Sequence, residues 1–402
     1  MVPQQRRILP GGPRSLRGVF FLLLGLLLAT NSIGHPNSLA LDPSKSESLA
    51  QVQRLEQRLK RNPEDAFVAT RLAHHYLHRH RAESGGKWID QADAILAPWV
   101  NRTDAPPILL LELADLQQRV HRFEPALRTL NALLQATPDN AQAVLSRSTI
   151  LTVLGRYDEA TLDNKKLAAL AEPHVITVNR CAIDSLSGKA KQSLDDLEVV
   201  LARPSFPDNL RPWTLGIAGD IAVRLGLDDR AEEHFLAGLK LAPKDTYLLT
   251  ALADLLLATD RPEDVLQRIP KDTPQEGLRL RRILATPSDD PKRADLVAAF
   301  DARLKSDHAR AHPHLREEAM FALDVLDDPE RALRQARANW ATQREPADLL
   351  IYVRALQSQP AGSTTEELPD LHRWFRERQM EWPALERLLS KSLGSISDPI
   401  KP

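Results

Sequence analysis

The sequence predicts an all-α protein: a superhelical solenoid of stacked helix–turn–helix units. Three observations point there. The chain resembles itself when slid by about 34 residues, the mark of a repeat array rather than a single globule. It is 43% hydrophobic but only 5% aromatic, rich in Leu and Ala, with no sustained alternation of β-branched and polar residues. Many of its 29 prolines fall between apolar periodic segments, where they punctuate helices. A 402-residue chain would otherwise split into compact domains. An array escapes that limit because each unit needs only its neighbours.

Residues 1–34 carry Arg6, Arg7, Arg14 and Arg17 and no acid, and then the apolar run Val19 to Ala29. Small residues follow at Ser32, Gly34, Ser38 and Ala40. This reads as a signal peptide, cleaved after residue 34 or as late as 40. The run falls short of the roughly 20 apolar residues that span a bilayer, so no stable span is expected once it is removed. No cysteine follows directly, which excludes a lipid-modified bacterial anchor. The body is therefore expected outside the cytoplasm. A bacterial periplasm is the first expectation, with an inner-membrane N-terminal anchor or secretion as alternatives. Losing the four arginines takes the formal charge from -1 to -5, and an acidic body argues against a nucleic-acid partner. A single cysteine, Cys181, permits no internal disulfide.

After a linker at 35–48, the array is expected over 49–357. In Pro107–Asn140, Leu110, Leu113 and Ala114 share one face of a first helix, and Ala126, Leu130 and Leu133 one face of a second. Ala141–His174 repeats this with Val144, Ser148 and Leu151, the turn Gly155 to Glu159, then Ala160 and Leu167. Val175–Ala202 follows one residue short. Pro212–Asp245 is clearest, with Leu215, Ala218, Gly219, Ala231, Phe235 and Gly238. Thr246 opens another unit through Leu249, Leu252, Ala253 and Leu256. An earlier unit has Leu72, Ala73 and Tyr76 with extra residues near Ser84. Pro313–Glu345 is a later pair. Asn62-Pro63, Asp328-Pro329 and Glu345-Pro346 put proline at first helical positions, and Thr273/Glu276 and Ser363/Glu366 read as capping boxes. A linker at 358–366, a helical cap at 367–395 and a tail at 396–402 complete the chain.

These residues resemble the tetratricopeptide repeat family, in exported bacterial form. Small side chains stand where helices cross, and a proline closes the unit. Ala114, Gly219 and Ala253 are the small positions, which let neighbouring helices approach. The resemblance implies a concave groove lined by first helices. Carried over, the groove positions are Asp115, Gln118, Asn179, Trp213, Asp220, Tyr247 and Asp254, together with Thr149, Thr152 and Thr250. Asp115, Asp220 and Asp254 are equivalent in three units, as Trp213 and Tyr247 are in two. Acids and aromatics there suit a protein or peptide partner. The basic clamp with which some members of the family hold a peptide carboxylate is absent, since Leu111, Leu145 and Gly216 occupy its positions.

No phosphate loop, dinucleotide fingerprint, HExxH or nucleophile elbow occurs. Asp195-Asp196, Asp228-Asp229 and Asp327-Asp328 fall at helix starts or turns, where acids suit the helix dipole. Cys181 falls at an inward position, as a small buried hydrophobe. Arg279, Arg281, Arg282 and Arg373, Arg376, Arg378 read as solvated faces. His74 and His78 share a helix face and could hold a metal ion if an acid from elsewhere joined them. The leading expectation is a non-catalytic exported scaffold, without cofactor, that binds a protein or peptide in its groove. A metal-handling accessory using His74 and His78, and an enzyme with an unrecognised site, are the alternatives.

Overall fold

The computed structural model describes residues 48–83, 86–309, 314–360 and 367–394. The signal segment 1–34, nearly all of the 35–48 linker, the Ser363/Glu366 capping box and the 396–402 tail lie outside them.

The described residues form twenty α-helices and no strand. The first is α1 (Leu49–Arg61), followed by the pair α2 (Ala66–Glu83) and α3 (Gly86–Leu96). Four regular pairs come next: α4 (Pro107–Arg119) with α5 (Phe123–Ala136), α6 (Ala141–Val153) with α7 (Tyr157–Leu167), α8 (Pro173–Asp184) with α9 (Ala190–Leu201), and α10 (Arg211–Leu225) with α11 (Asp228–Leu241). Then come α12 (Thr246–Ala258), α13 (Pro262–Arg268), α14 (Glu276–Ala285) and α15 (Arg293–Ala309). The chain ends with α16 (Leu315–Asp324), α17 (Pro329–Thr342), α18 (Pro346–Gln357), α19 (Glu367–Glu377) and α20 (Pro383–Gly394).

Helix starts follow local chemistry. Asn140 and Asp245 cap α6 and α12 by accepting from the Ala143 and Leu248 amides, each at 2.9 Å. Asp328 caps α17 with Pro329 at its first position. Two expected starts differ. Pro63 lies in a turn, and α2 begins at Ala66 because Asp65 accepts from the Val68 amide at 3.1 Å. Thr273 makes no capping box with Glu276. Its hydroxyl bonds Gln275 Oε1 at 2.6 Å, and α14 starts directly at Glu276.

Burial separates the two helices of a pair. On α10, ten of fifteen residues are buried, against three of fourteen on α11. First helices therefore lie inside and second helices outside, where Leu162 and Val199 remain more than half exposed. Close approach explains the glycines. A Cβ on Gly219 would lie 2.2 Å from Phe235 Cε1, and one on Gly216 2.5 Å from Tyr247 Cε1. Ala would not fit at either position without a shift.

The superhelix closes on itself. The α17–α18 turn reaches the N-terminal half, where the Arg344 amide donates to the Val153 carbonyl at 2.8 Å. Nearby, Gln343 Oε1 meets His121 Nδ1 at 2.8 Å. The α19–α20 hairpin lands on the next turns. Trp374 stands 3.1 Å from where a Gly155 Cβ would be, and Glu381 accepts from the Lys191 amide at 3.0 Å. Helix α18 is buried at ten of its twelve residues, as expected of a helix surrounded on all sides.

Candidate partner channel

The inner faces of the first helices carry the groove residues, and the structure accounts for each. Asp115 is buried and pairs with Arg119 at 3.0 Å along α4. Gln118, on the same helix, is buried. Asn179 donates to Ser148 Oγ at 3.0 Å and to Asn164 Oδ1 at 2.9 Å. Trp213 is buried, and Tyr247, half-buried, donates its hydroxyl proton to Asp220. Asp254 takes a two-point bond from Arg281, 2.8 Å at each contact. These side chains lie buried or half-buried, and those with printed bonds are bonded within the chain rather than held open to solvent.

Burial sets the electrostatics. Desolvation holds the Asp220 carboxyl well above the usual carboxylate range, and the Tyr247 hydrogen bond and the Arg224 charge only partly counter it. Arg224 is 1% exposed and donates to Ser185 Oγ at 2.9 Å. Burial disfavours the Arg281 charge, but Asp254 more than offsets that, so the guanidinium stays firmly protonated. Glu317 lies 3.6 Å from the same guanidinium. Arg316 bonds Asp348 at 2.5 Å and also Glu345.

The arginine reading from sequence needs correction. Arg281 was expected on a solvated face, yet it is fully buried, and with Arg224 it heads the largest fully buried side chains among the described residues. Arg279 and Arg282 turn inward too, donating to the Thr273 carbonyl and to the Leu266 and Ile269 carbonyls. Arg373 and Arg376 do face solvent. Arg378 stacks 4.2 Å from the Trp374 ring. Sequence reasoning missed Arg224, Arg281 and Arg316. The available signal was the recurring inner acid, since a buried carboxylate demands a counter-charge.

His74 does meet an acid: its Nδ1 lies 2.9 Å from Glu112 Oε1. Among the described residues, however, no three His, Cys, Asp or Glu side chains converge as a metal would need. The Cys181 thiol is pushed up to about 12, chiefly by burial, so it is no nucleophile at neutral pH. Asp196 pairs with Arg180 at 2.8 Å, and Asp228 begins α11. Among the described residues no helix is long and apolar enough to cross a membrane.

Paired antiparallel helices, inner-helix burial and small residues at the crossings decide the architecture. The fold is a tetratricopeptide-like solenoid. No family model and no curated protein matches the chain. Among solved structures it is similar to the Cut9–Hcn1 hetero-tetramer of the APC/C, at 15% identity over 77% of this chain and 53% of that one, with a TM-score of 0.40. The chain thus spans about half of that relative's length. A tetratricopeptide repeat protein from Parabacteroides merdae shares 16% identity over 81% and 99% of the two chains, at a TM-score of 0.36. Yeast Tom70 shares 13% over 84% and 74%, at 0.27.

Proposed function

We propose that the chain is a non-catalytic, exported scaffold that holds a protein or peptide partner along the inner surface of its solenoid. The observation that supports it most is the stack of first helices itself, whose inner sides repeat equivalent positions from unit to unit, as Asp115, Asp220 and Asp254 do on α4, α10 and α12, with those three carboxylates engaged inside the chain in this closed form. The other groups capable of chemistry have structural duties: a desolvated thiol, acids at helix starts and a histidine on Glu112. Export, with a bacterial periplasm as the destination, is the part of this proposal supported by the arginines and apolar run of residues 1–34.

The test is in-cell cross-linking of the full chain, mass spectrometry of what is captured, and hydrogen exchange with the purified partner. Protection on α4, α6, α8, α10 and α12 supports the channel. Protection confined to α7 and α9, around Leu162 and Val199, would move the site to the outer face. Capture of no recurrent protein would sink the scaffold reading itself. Fractionation that leaves the chain in the cytoplasm would overturn export.

A further inference from the structure

We propose that the outward face of α1 is a docking surface for the anionic headgroups of a lipid bilayer. The choice of a bilayer as occupant rests on the export reading above; the charge of the face does not.

Helix α1 is the first of the array and packs on α2. Val52 and Leu55 are buried there, and Leu59 is partly buried beside them. Opposite them, Arg54, Arg58 and Arg61 follow at spacings of four and three residues, so they form one exposed stripe. Lys60 is exposed as well.

The acids that could cancel these charges are engaged. Glu56, the only acid of α1, accepts the Tyr76 hydroxyl at 2.5 Å. Asp65 pairs with Arg58 at 2.8 Å, and Glu64 with Arg102 at 3.3 Å. Arg54, Lys60 and Arg61 meet no carboxylate among the described residues. A helix C-terminus attracts cations, which accounts for Lys60 and Arg61 but not for Arg54, two turns earlier.

Exposed apolar side chains accompany the stripe. Leu49, at the start of α1, is 76% exposed, and Phe67, at the start of α2, is 53% exposed. The Arg71 guanidinium lies 5.7 Å from the Phe67 ring. Unpaired cations with exposed Leu and Phe suit a bilayer surface, where charge meets phosphate and apolar groups enter the headgroup layer.

The preceding chain brings such a surface close. Residues 30–48 separate the apolar run ending at Ala29 from Leu49, at most about 65 Å of extended chain. While that run sits in a membrane, α1 is the described helix tethered most closely to it. A tether of this kind raises the local concentration, so a weak face contact suffices.

The test is co-sedimentation of lipid vesicles with the chain from residue 35, since every described helix lies after it. Vesicles of equal parts phosphatidylcholine and phosphatidylglycerol should bind it, pure phosphatidylcholine should not, and added salt should release it. Each basic residue near an anionic surface is worth about fivefold in partitioning. Arg54→Gln, Lys60→Gln and Arg61→Gln together should therefore cut binding about 100-fold, with circular dichroism unchanged because all three side chains are exposed. Equal binding of variant and wild type overturns the proposal, as does equal binding to the two vesicles. No vesicle binding, with an acidic protein cross-linked to α1 instead, overturns the bilayer as occupant. Wild-type binding that the variant loses supports the docking face wherever fractionation places the chain, so the export reading stands or fails separately.

Discussion

Replacing Arg281 by Met tests the buried network most directly. Arg281 is 0% and Asp254 1% exposed, joined by two 2.8 Å bonds. The Arg281→Met variant leaves a buried carboxylate with no counter-charge, a loss of about 3–5 kcal/mol in comparable sites. The carboxylate has an escape, which is to take up a proton. Keeping a group of ordinary pKa near 4 neutral at pH 7 costs about 1.4 kcal/mol per unit, or roughly 4 kcal/mol, so the two routes give the same magnitude. The escape also has a sign. The folded variant holds a proton that its unfolded chain gives up above about pH 4, so its deficit must shrink as pH falls, to roughly 1.5 kcal/mol at pH 5. Adding Asp254→Leu removes the stranded acid and should recover all but about 1 kcal/mol. The assay is urea unfolding at pH 5 and 7, followed by circular dichroism and tryptophan fluorescence, with coincident transitions required. A deficit under about 1 kcal/mol at pH 7, or one that does not change with pH, would refute the reasoning.

Gly219→Ala gains roughly 0.5–1 kcal/mol of helix propensity but forces Phe235 aside at about 1–3 kcal/mol, so the thermal midpoint should fall, and Phe235→Leu in the same chain should recover part of it. The folded chain holds the Asp220 proton longer than the unfolded chain does, so Asp220 withdraws stability as pH rises above about 4; Asp220→Asn should gain on the wild type between pH 4 and 7, and a flat difference in midpoint would contradict this. His121 behaves oppositely. Burial, followed by the neighbouring His314, lowers its pKa to about 4, so stability should drop as pH falls from 6.5 towards 4. His121→Asn, which tolerates the left-handed φ of 56°, should flatten that limb when unfolding is followed across the range.

The helix pairs were legible because packing writes them locally. Ala114, Gly219 and Ala253 recur where helices cross, and Asn140, Asp245 and Asp328 stand where caps are needed. Asp220 and Asp254 could be placed on the inner side from the repeat alone. Their surroundings could not. Arg281 sits among Leu278, Leu280 and Ile283 in a pattern equally consistent with a solvated flank, and its partner lies 27 residues earlier on another helix. Closure was hidden for a different reason. Whether a solenoid stays open depends on small rotations summed over many units, and no single unit encodes the sum. The contact between His121 and Gln343, 222 residues apart, has no local signature. An open groove was therefore the natural expectation, and an enclosed one the result.

Arg316 shows how closure is specified. Glu345 and Asp348 form the capping box of α18, with the Glu345 amide donating to Asp348 Oδ2 at 2.8 Å. Such boxes usually face solvent, where a neutral Ser or Gln serves as well. Here both carboxylates are buried and both grip Arg316 from α16, so the groups that start α18 also fix its position against α16. Asn339 and Gln343 bond the same Asp348 oxygen, tying in the end of α17 and the turn that meets His121 and Val153. An apolar joint of equal area would hold these helices together but let them slide. A cap shared with a buried cation permits one alignment, and only that alignment delivers the Arg344 amide to Val153. The charge that looks wasteful inside the protein thus acts at a distance: it sets the pose of a turn that closes the ring.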